Sequence, residues 1–234
     1  EYRRQRQMCI RDRSGAALEI RTLAERVHDL VRDRILSGGI AAGEPIRQDT
    51  LAAEFGISKI PLREALVRLE QSGLVRSQAH RGYVVAALSM AEAEEVFALR
   101  LQLEPAAIAR GSRFADPAAH RAARTMLMSL DDSIHAGSED QGRLNRLFHM
   151  LLMQPGAGPL TTSFLEQLHT LSERYTRLHL LQTGRDSRAC EEHRQMLHLW
   201  IDGQQDALEE LTRKHLRDTL QDLRLELLEG RGEG

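Results

Sequence analysis

Hydrophobic residues recur every three to four positions along most of this 234-residue chain, which is the pattern of amphipathic helices that bury one face. Thr22 and Glu25 have the spacing of a capping box, so a first helix is expected to follow Thr22 and to end at Gly38. From Ser89 the pattern is helical almost to the last residue. We therefore expect a mostly α-helical protein.

The region from residue 49 to residue 82 departs from a plain helical pattern. A short helix with one apolar face leads to Gly56, which permits a tight turn. Ser58 can cap a second short helix through its side-chain oxygen. Two extended runs follow, with Arg81-Gly82 at the tip between them. This is the order of elements in a winged helix-turn-helix, so double-stranded DNA is the first expected partner.

The second of these helices has one apolar face and one face that could contact DNA. Its apolar residues, which can pack against the first helix, are Leu62, Ala65, Leu66 and Leu69. The other face begins with Lys59, Ile60 and Arg63. They lie at the N-terminal end of the helix, which is the end of a recognition helix that reaches base edges in the major groove. Arg63 could bind a guanine through two hydrogen bonds. Further expected contacts are Arg68 and, at the wing tip, Arg81 and Gly82. The alternative is a helical hairpin with ordinary solvated arginines.

Charge and composition agree with two domains of different roles. Residues 21–86 hold ten Lys or Arg against eight Asp or Glu, whereas residues 87–234 hold 17 against 23. The acidic second part is a poor surface for nucleic acid and suits dimerisation or the sensing of a small ligand.

No apolar run approaches the ~20 residues of a membrane span and no signal peptide is evident, so we expect a cytoplasmic protein with no membrane partner. Two distant cysteines support neither a disulfide framework nor a cysteine zinc motif.

The chain divides into three segments. Residues 1–20 are expected to be a disordered or artefactual extension, because their arginine-rich start resembles translated sequencing adapter; a basic DNA-contacting tail is the alternative. Residues 21–86 form the winged helix-turn-helix. Residues 89–229 should form an antiparallel all-helical bundle of six or seven helices, opened by a second capping box at Ser89 and Glu92. The first of these helices is expected to run to about Ala109 or Gly111. A helix is expected after Asp116, and later helices at 140–153, 160–182, 187–202 and 205–228.

One group of residues in the second domain has the character of a metal site. Asn145 and His149 are four residues apart, so both project from the same side of one helix. His193 and His215 are 22 residues apart on helices joined by a turn at Gly203, which places them at similar heights in an antiparallel pair. Three imidazoles and one side-chain oxygen could meet in the bundle and bind zinc, nickel or manganese. Ordinary core or surface histidines are the alternative.

Two arginines of this domain, Arg100 and Arg174, are candidates for binding the carboxylate of a small effector. Arg100 has an equally good alternative in an ion pair with Glu104 one turn on. The remaining histidines, His169 among them, are expected at the surface or in ordinary packing. No nucleophile motif, phosphate loop or general base is tied to the histidines, so an enzyme is not expected.

The N-terminal motif resembles the DNA-binding domain of the GntR family of bacterial transcription regulators. The resemblance covers about residues 21 to 86 and rests on Leu51-Ala-Ala-Glu-Phe-Gly-Ile-Ser, Pro61-Leu-Arg-Glu-Ala-Leu and His80-Arg-Gly. It implies a DNA contact at His80 as well as at its neighbours. The family usually has arginine where this chain has Lys59, so a single-point phosphate contact is expected there instead of bidentate base recognition.

The helical part resembles the effector-binding domain of the fatty-acid-regulator branch of that family, the FCD domain. The matching segments are Arg100-Leu-Gln-Leu-Glu104-Pro-Ala-Ala, Phe148-His149, Glu192-His193 and His215. In many members an Asp and three His hold a metal that a carboxylate effector binds, which implies Asn145, His149, His193 and His215 as the ligands in this chain. Asn145 replaces the usual aspartate.

This resemblance also implies the mode of action. A homodimer is expected to bind a pseudo-palindromic operator as a repressor, with an affinity that the effector changes. A metal site that only stabilises the bundle is the alternative, and a metal-dependent enzyme is a more distant one.

Overall fold

The computed structural model describes residues 21–79, 81–180 and 185–229. Within these ranges the N-terminal elements are α1 (Leu23–Leu36), α2 (Gln48–Phe55), α3 (Lys59–Gln71), β1 (Val75–Gln78) and β2 (Gly82–Val85). Six helices follow: α4 (Met90–Phe114), α5 (Pro117–His135), α6 (Gln141–Met153), α7 (Pro159–Leu180), α8 (Arg185–Ile201) and α9 (Gln205–Glu229). The predicted fold class, a winged helix-turn-helix followed by a helical bundle, is confirmed. The extension 1–20 and His80 lie outside the described residues.

The reader domain, residues 21–86, is built around α3. The apolar face of α3 is fully buried against α1 and α2, as its spacing predicted. Gly56 ends α2 with φ +62°, in the left-handed region that favours glycine. Strands β1 and β2 pair antiparallel, with Val75 opposite Val85, and form the wing. The opposite face of α3 is left at the surface.

Only some of the capping hydrogen bonds predicted from the sequence are present in the structure. The box at Thr22 is complete, because its side chain accepts from the Glu25 amide and the Glu25 carboxylate accepts from the Thr22 amide. Ser58 occupies the N-cap of α3 but its side chain makes no capping hydrogen bond, so that expectation was wrong. At α4 only half of the predicted box forms. Ser89 accepts from the Glu92 amide, while the Glu92 carboxylate accepts from the Tyr175 hydroxyl at 2.7 Å.

Helix α4 lies at the centre of the bundle and packs against α6, α7 and α9. It includes the buried Pro105 and continues to Phe114, three to five residues beyond the predicted end at Ala109 or Gly111. Asp116 caps α5 by accepting from the Ala119 amide at 2.7 Å, as expected. The observed bounds of α6 to α9 differ from the predicted ones by at most two residues. No helix of the described chain is long and apolar enough to cross a membrane.

The two domains meet at the segment that follows β2. The Arg174 guanidinium on α7 donates to the carbonyl of Ala86. The neighbouring Tyr175 hydroxyl, which donates to Glu92, accepts from the Ser89 amide at 3.1 Å and lies 3.2 Å from the Ser89 carbonyl oxygen. Burial lowers the pKa of Arg174 and raises that of Tyr175. Helix α7 therefore holds both ends of the short interdomain segment 86–89.

Candidate metal centre and DNA-binding face

His149, His193 and His215 converge in the interior of the bundle from α6, α8 and α9. All three are buried, and their ring centroids lie 4.8 to 5.4 Å apart. One nitrogen from each ring lies within 4.8 Å of the other two. The antiparallel turn at Gly203 thus brings together histidines that are 22 residues apart in sequence.

Two buried glutamates orient two of these rings. Nδ1 of His149 lies 2.7 Å from Glu104, and Nδ1 of His215 lies 2.8 Å from Glu192. An ionised carboxylate can only accept, so each Nδ1 carries a proton. Burial lowers the pKa of His149 to about 3, so its ring is neutral near pH 7 and its Nε2 keeps a lone pair. The His149 ring is therefore in the form that a metal ion binds.

The spacing of two of the ring nitrogens suits a small metal ion. Nε2 of His149 lies 3.3 Å from Nε2 of His193. Two nitrogens bound at ~2.0–2.1 Å to a tetrahedral zinc would be about 3.4 Å apart. These two rings can therefore hold such an ion with little rearrangement.

Asn145, the fourth residue predicted for this group, lies one turn before His149 on α6. It is buried and, with His193 and His215, lines a small cavity between the helices. The other lining residues are Phe97, Arg100, Thr176, Ala189, Leu216 and Thr219. The cavity volume is only ≈ 10 Å³, roughly the room for one water molecule. A carboxylate of several atoms would have to move the side chains around it.

Arg100 also lines this cavity, but its donors are engaged. It donates to both oxygens of Glu104, at 2.8 and 3.2 Å, and to the Ser172 hydroxyl at 3.0 Å. Burial would raise the pKa of Glu104, but Arg100 and the neighbouring His169 and His149 hold it well below its usual value. Of the two alternatives for Arg100, the ion pair is the one that this structure contains.

His169 is a residue near the site that the sequence analysis did not single out. It was expected at the surface or in ordinary packing; it is buried, and its Nε2 lies 3.1 Å from Glu104. Burial lowers its pKa. The missed signal is a polar stripe, in which His169, Ser172 and Thr176 recur at helical spacing on a face of α7 that should be apolar.

Arg174 lies elsewhere. Its guanidinium is at the interdomain segment, and it borders a different cavity, of ≈ 230 Å³, beside the end of α1. The geometry thus gives no support to Arg174 as an effector ligand beside the three histidines.

The predicted DNA-binding face is exposed. Lys59, Ile60 and Arg63 lie at the surface of α3 near its N-terminus. Lys59 pairs with Asp49 of α2. Arg68 points towards α1, where it lies 3.5 Å from Glu25, so it is turned away from the other three. At the wing tip Arg81 is exposed and precedes Gly82, which has φ +75°.

Together these features are those of a DNA-binding transcription regulator with a helical second domain. Residues 23–85 match the model of the bacterial regulatory proteins of the gntR family, and residues 95–218 match the FCD domain. The chain belongs to the GntR family, in its FCD-containing branch. Its relatives are transcription regulators and not enzymes.

Two curated relatives illustrate this similarity. The uncharacterized HTH-type transcriptional regulator YdhC of Bacillus subtilis is 30% identical over 146 residues, which are 62% of this chain and 65% of that protein. The uncharacterized regulator BphR of Paraburkholderia xenovorans is 26% identical over 209 residues, 86% of this chain and 85% of that protein. Neither name states a ligand.

Solved structures share the fold. E. coli McbR/YncC superimposes with a TM-score of 0.79 at 18% identity, covering 89% of this chain and all of that one. A GntR family regulator from Pseudomonas syringae is 28% identical with a TM-score of 0.53, covering 90% of this chain and 88% of that one.

Proposed function

We propose that this regulator is a homodimeric repressor whose operator binding is controlled by a small carboxylate effector through a bound divalent metal. The observation that carries the proposal is the convergence of His149, His193 and His215, since one ring nitrogen of each lies within 4.8 Å of the other two. Such an arrangement, buried in a bundle whose other core positions are mostly apolar, suits a metal better than it suits packing.

The donor set fits a divalent first-row ion. The three imidazole nitrogens and the carbonyl oxygen of Asn145 are ligand types that zinc, nickel and manganese accept. A bound ion would supply a positive charge for an anionic effector. Because all four donors are neutral, that charge would be kept in full, so the metal should bind less tightly than with an aspartate and attract an anion more strongly.

The repressor and dimer assignments have separate support. The transcriptional repressor RspR of E. coli is 23% identical over 86% of this chain. Helix α4 exposes Leu99, Leu103 and Phe114 along one line, which suits an interface with a second copy. A dimer presents two reader domains to the two halves of an operator in the bacterial cytoplasm.

Helix α7 can couple the two sites. Its polar stripe contacts the Arg100–Glu104 pair through Ser172 and His169, and the next turn holds the interdomain segment through Arg174. An effector that rearranges the small cavity would thereby act on the placement of the reader domain. A coupling of about 1–3 kcal/mol is enough to switch operator occupancy.

Thermal unfolding tests the metal and the effector. The chain is stripped with a chelator and melted with zinc, nickel or manganese, then with metal plus organic acids, sugar acids or amino acids. We expect one metal to raise Tm, and one class of carboxylate to raise it further by roughly 5–10 °C at a hundred times its Kd. His193→Ala should abolish both shifts, whereas His198→Ala, an exposed histidine on the same helix, should keep them.

The outcomes separate the alternatives. A metal shift without any carboxylate shift would mean a structural metal only. With no shift from any metal, the metal part of the proposal fails, while operator binding is judged by its own assay at fixed salt. Asn145→Asp offers a further check, since a charged ligand should tighten metal binding by at least about tenfold and weaken the carboxylate response.

A further inference from the structure

Ile60 is an exposed apolar residue in the middle of the DNA-binding face. It is the second residue of α3 and is 69% exposed, whereas its neighbours Lys59, Arg63 and Glu64 are exposed charged residues. The core of the reader domain is formed by the opposite side of α3. Isoleucine is β-branched, so its helix propensity at an exposed position is no better than that of other ordinary residues. A small polar residue at this position would therefore stabilise the fold about as well as Ile60 does.

The chemistry of the major groove supplies a partner for such a side chain. Isoleucine has no group that can bond to the donors and acceptors of base edges. The apolar group that an unmodified base pair presents in this groove is the C5-methyl of thymine. The N-terminal residues of a recognition helix are the ones that reach base edges, and Ile60 is among them.

We propose that Ile60 packs against a thymine methyl and so specifies thymine at one position in each half of the operator. This inference rests on DNA binding by the reader domain. Arg63 lies three residues further along α3, about 4.5 Å by helical rise, while base pairs are ~3.4 Å apart. If Arg63 binds a guanine, that guanine and the thymine lie within one or two base pairs of each other.

The first part of the experiment finds the operator and its methyl-sensitive positions. Full-length chain selects binding sites from random duplex DNA. Each thymine of the selected site is then replaced in turn by deoxyuridine, which removes the methyl and leaves every hydrogen-bonding group. We expect one substitution in each half-site to weaken binding about fourfold, the effect of exposing one buried methyl. If no site is enriched over random DNA, DNA recognition itself fails, and that result is distinguishable from the outcomes below.

The second part asks whether Ile60 reads that methyl. Ile60→Ala should bind the thymine and deoxyuridine operators equally, because the contact is gone in both. Val67→Ala is the matched control, since Val67 is also an exposed apolar residue of α3 but lies two turns further from its N-terminus. It should keep the full methyl effect. The proposal is overturned if wild-type binding is indifferent to every thymine methyl, if Ile60→Ala keeps the sensitivity, or if Val67→Ala loses it as well.

Discussion

The two glutamates beside the histidines are each matched by a positive charge. Glu104 is held by Arg100, and Glu192 accepts from the Lys214 ammonium at 2.8 Å. Burial would raise the pKa of Glu192, but its bonds to His215 and Lys214 lower it to about 2. The glutamates can therefore fix the imidazole tautomers without neutralising an ion bound on the other side of the rings. This arrangement preserves the attraction for an anion that the neutral Asn145 also favours.

The role of Glu192 can be measured through metal affinity. Glu192→Gln removes a charged acceptor from His215, so we expect metal affinity to fall by about 10–100-fold with the fold retained. Isothermal titration with the preferred metal measures this change. Glu191→Gln is the control, because Glu191 is the exposed neighbour on α8 and should leave the affinity unchanged. Equal affinities of the wild type and Glu192→Gln would show that this carboxylate does not support the ligand. Glu104 is less suitable, since its loss would leave the buried Arg100 unpaired.

At the residue scale, local spacing was the reliable guide. The pair Asn145 and His149 follows from helical geometry alone, and the approach of His193 to His215 follows from a short turn between antiparallel helices. The partners Glu104 and Glu192 could not be assigned in the same way. Which carboxylate meets which ring depends on helix crossing angles and rotamers, and these are set by packing that no local pattern encodes.

At the scale of the helices, α4 and α6 approach each other closely where they cross. A Cβ built on Gly111 would lie 1.9 Å from the carbonyl oxygen of Leu152, which also accepts from the Trp200 indole at 3.0 Å. A Cβ on Gly156 would lie 2.7 Å from the backbone of Gly111. Two glycines therefore allow close backbone approach where α4, α6 and the following turn meet.

This contact predicts an unusual effect of alanine. In an unconstrained helix Gly111→Ala would stabilise by about 1 kcal/mol through propensity. Here we expect a loss of at least about 3 kcal/mol, because a backbone carbonyl cannot yield to the added methyl as a flexible side chain could. Gly158→Ala is the control, since its Cβ would meet nothing within 4 Å. Urea unfolding should give a change of less than about 0.5 kcal/mol for the control. A stable Gly111→Ala would mean that α4 and α6 do not meet as closely as this.

The elements themselves were largely predictable, and the exceptions share a cause. Helix bounds followed from glycine, proline and capping residues, which act through neighbours in sequence. The end of α4 was misplaced because Gly111 was read as a terminator, whereas it serves the crossing with α6 and the helix continues past it. The Glu92 carboxylate accepts a hydrogen bond from the Tyr175 hydroxyl instead of from the Ser89 amide, and tertiary packing brings that hydroxyl within reach. In both cases a tertiary contact overrode the local preference.

On the scale of the whole molecule, α7 is the helix on which the proposed coupling of the two domains depends. One stretch of this helix contacts the charged pair beside the histidines, and its next residues hold the segment between the domains. Rigid packing on both sides means that a displacement at one end of the stretch is passed to the other end. The sequence predicted two coupled domains but could not place Arg174, because helical spacing does not reveal which neighbour an arginine will face.

The exposed apolar residues of α4, Leu99, Leu103 and Phe114, allow a test of whether the protein is a dimer. Leu99→Asp combined with Leu103→Asp places two charges on side chains that are 41% and 40% exposed within one chain, so the monomer fold should be retained. In a dimer that buries this face the same charges would be desolvated, and we expect a monomer in sedimentation analysis. Operator affinity should then fall by about 10²–10⁴-fold, since the two reader domains would no longer bind as one linked unit.

Met128→Asp is the matched control for this prediction. Met128 is an apolar residue on α5 with 67% exposure, so its change adds a charge to the surface without touching the α4 line. It should leave both the sedimentation behaviour and operator affinity unchanged. If the α4 double variant still sediments as a dimer with full operator affinity, the interface lies on another face. If it is monomeric yet binds the operator as tightly as before, joint binding by two reader domains is not what gives this protein its affinity.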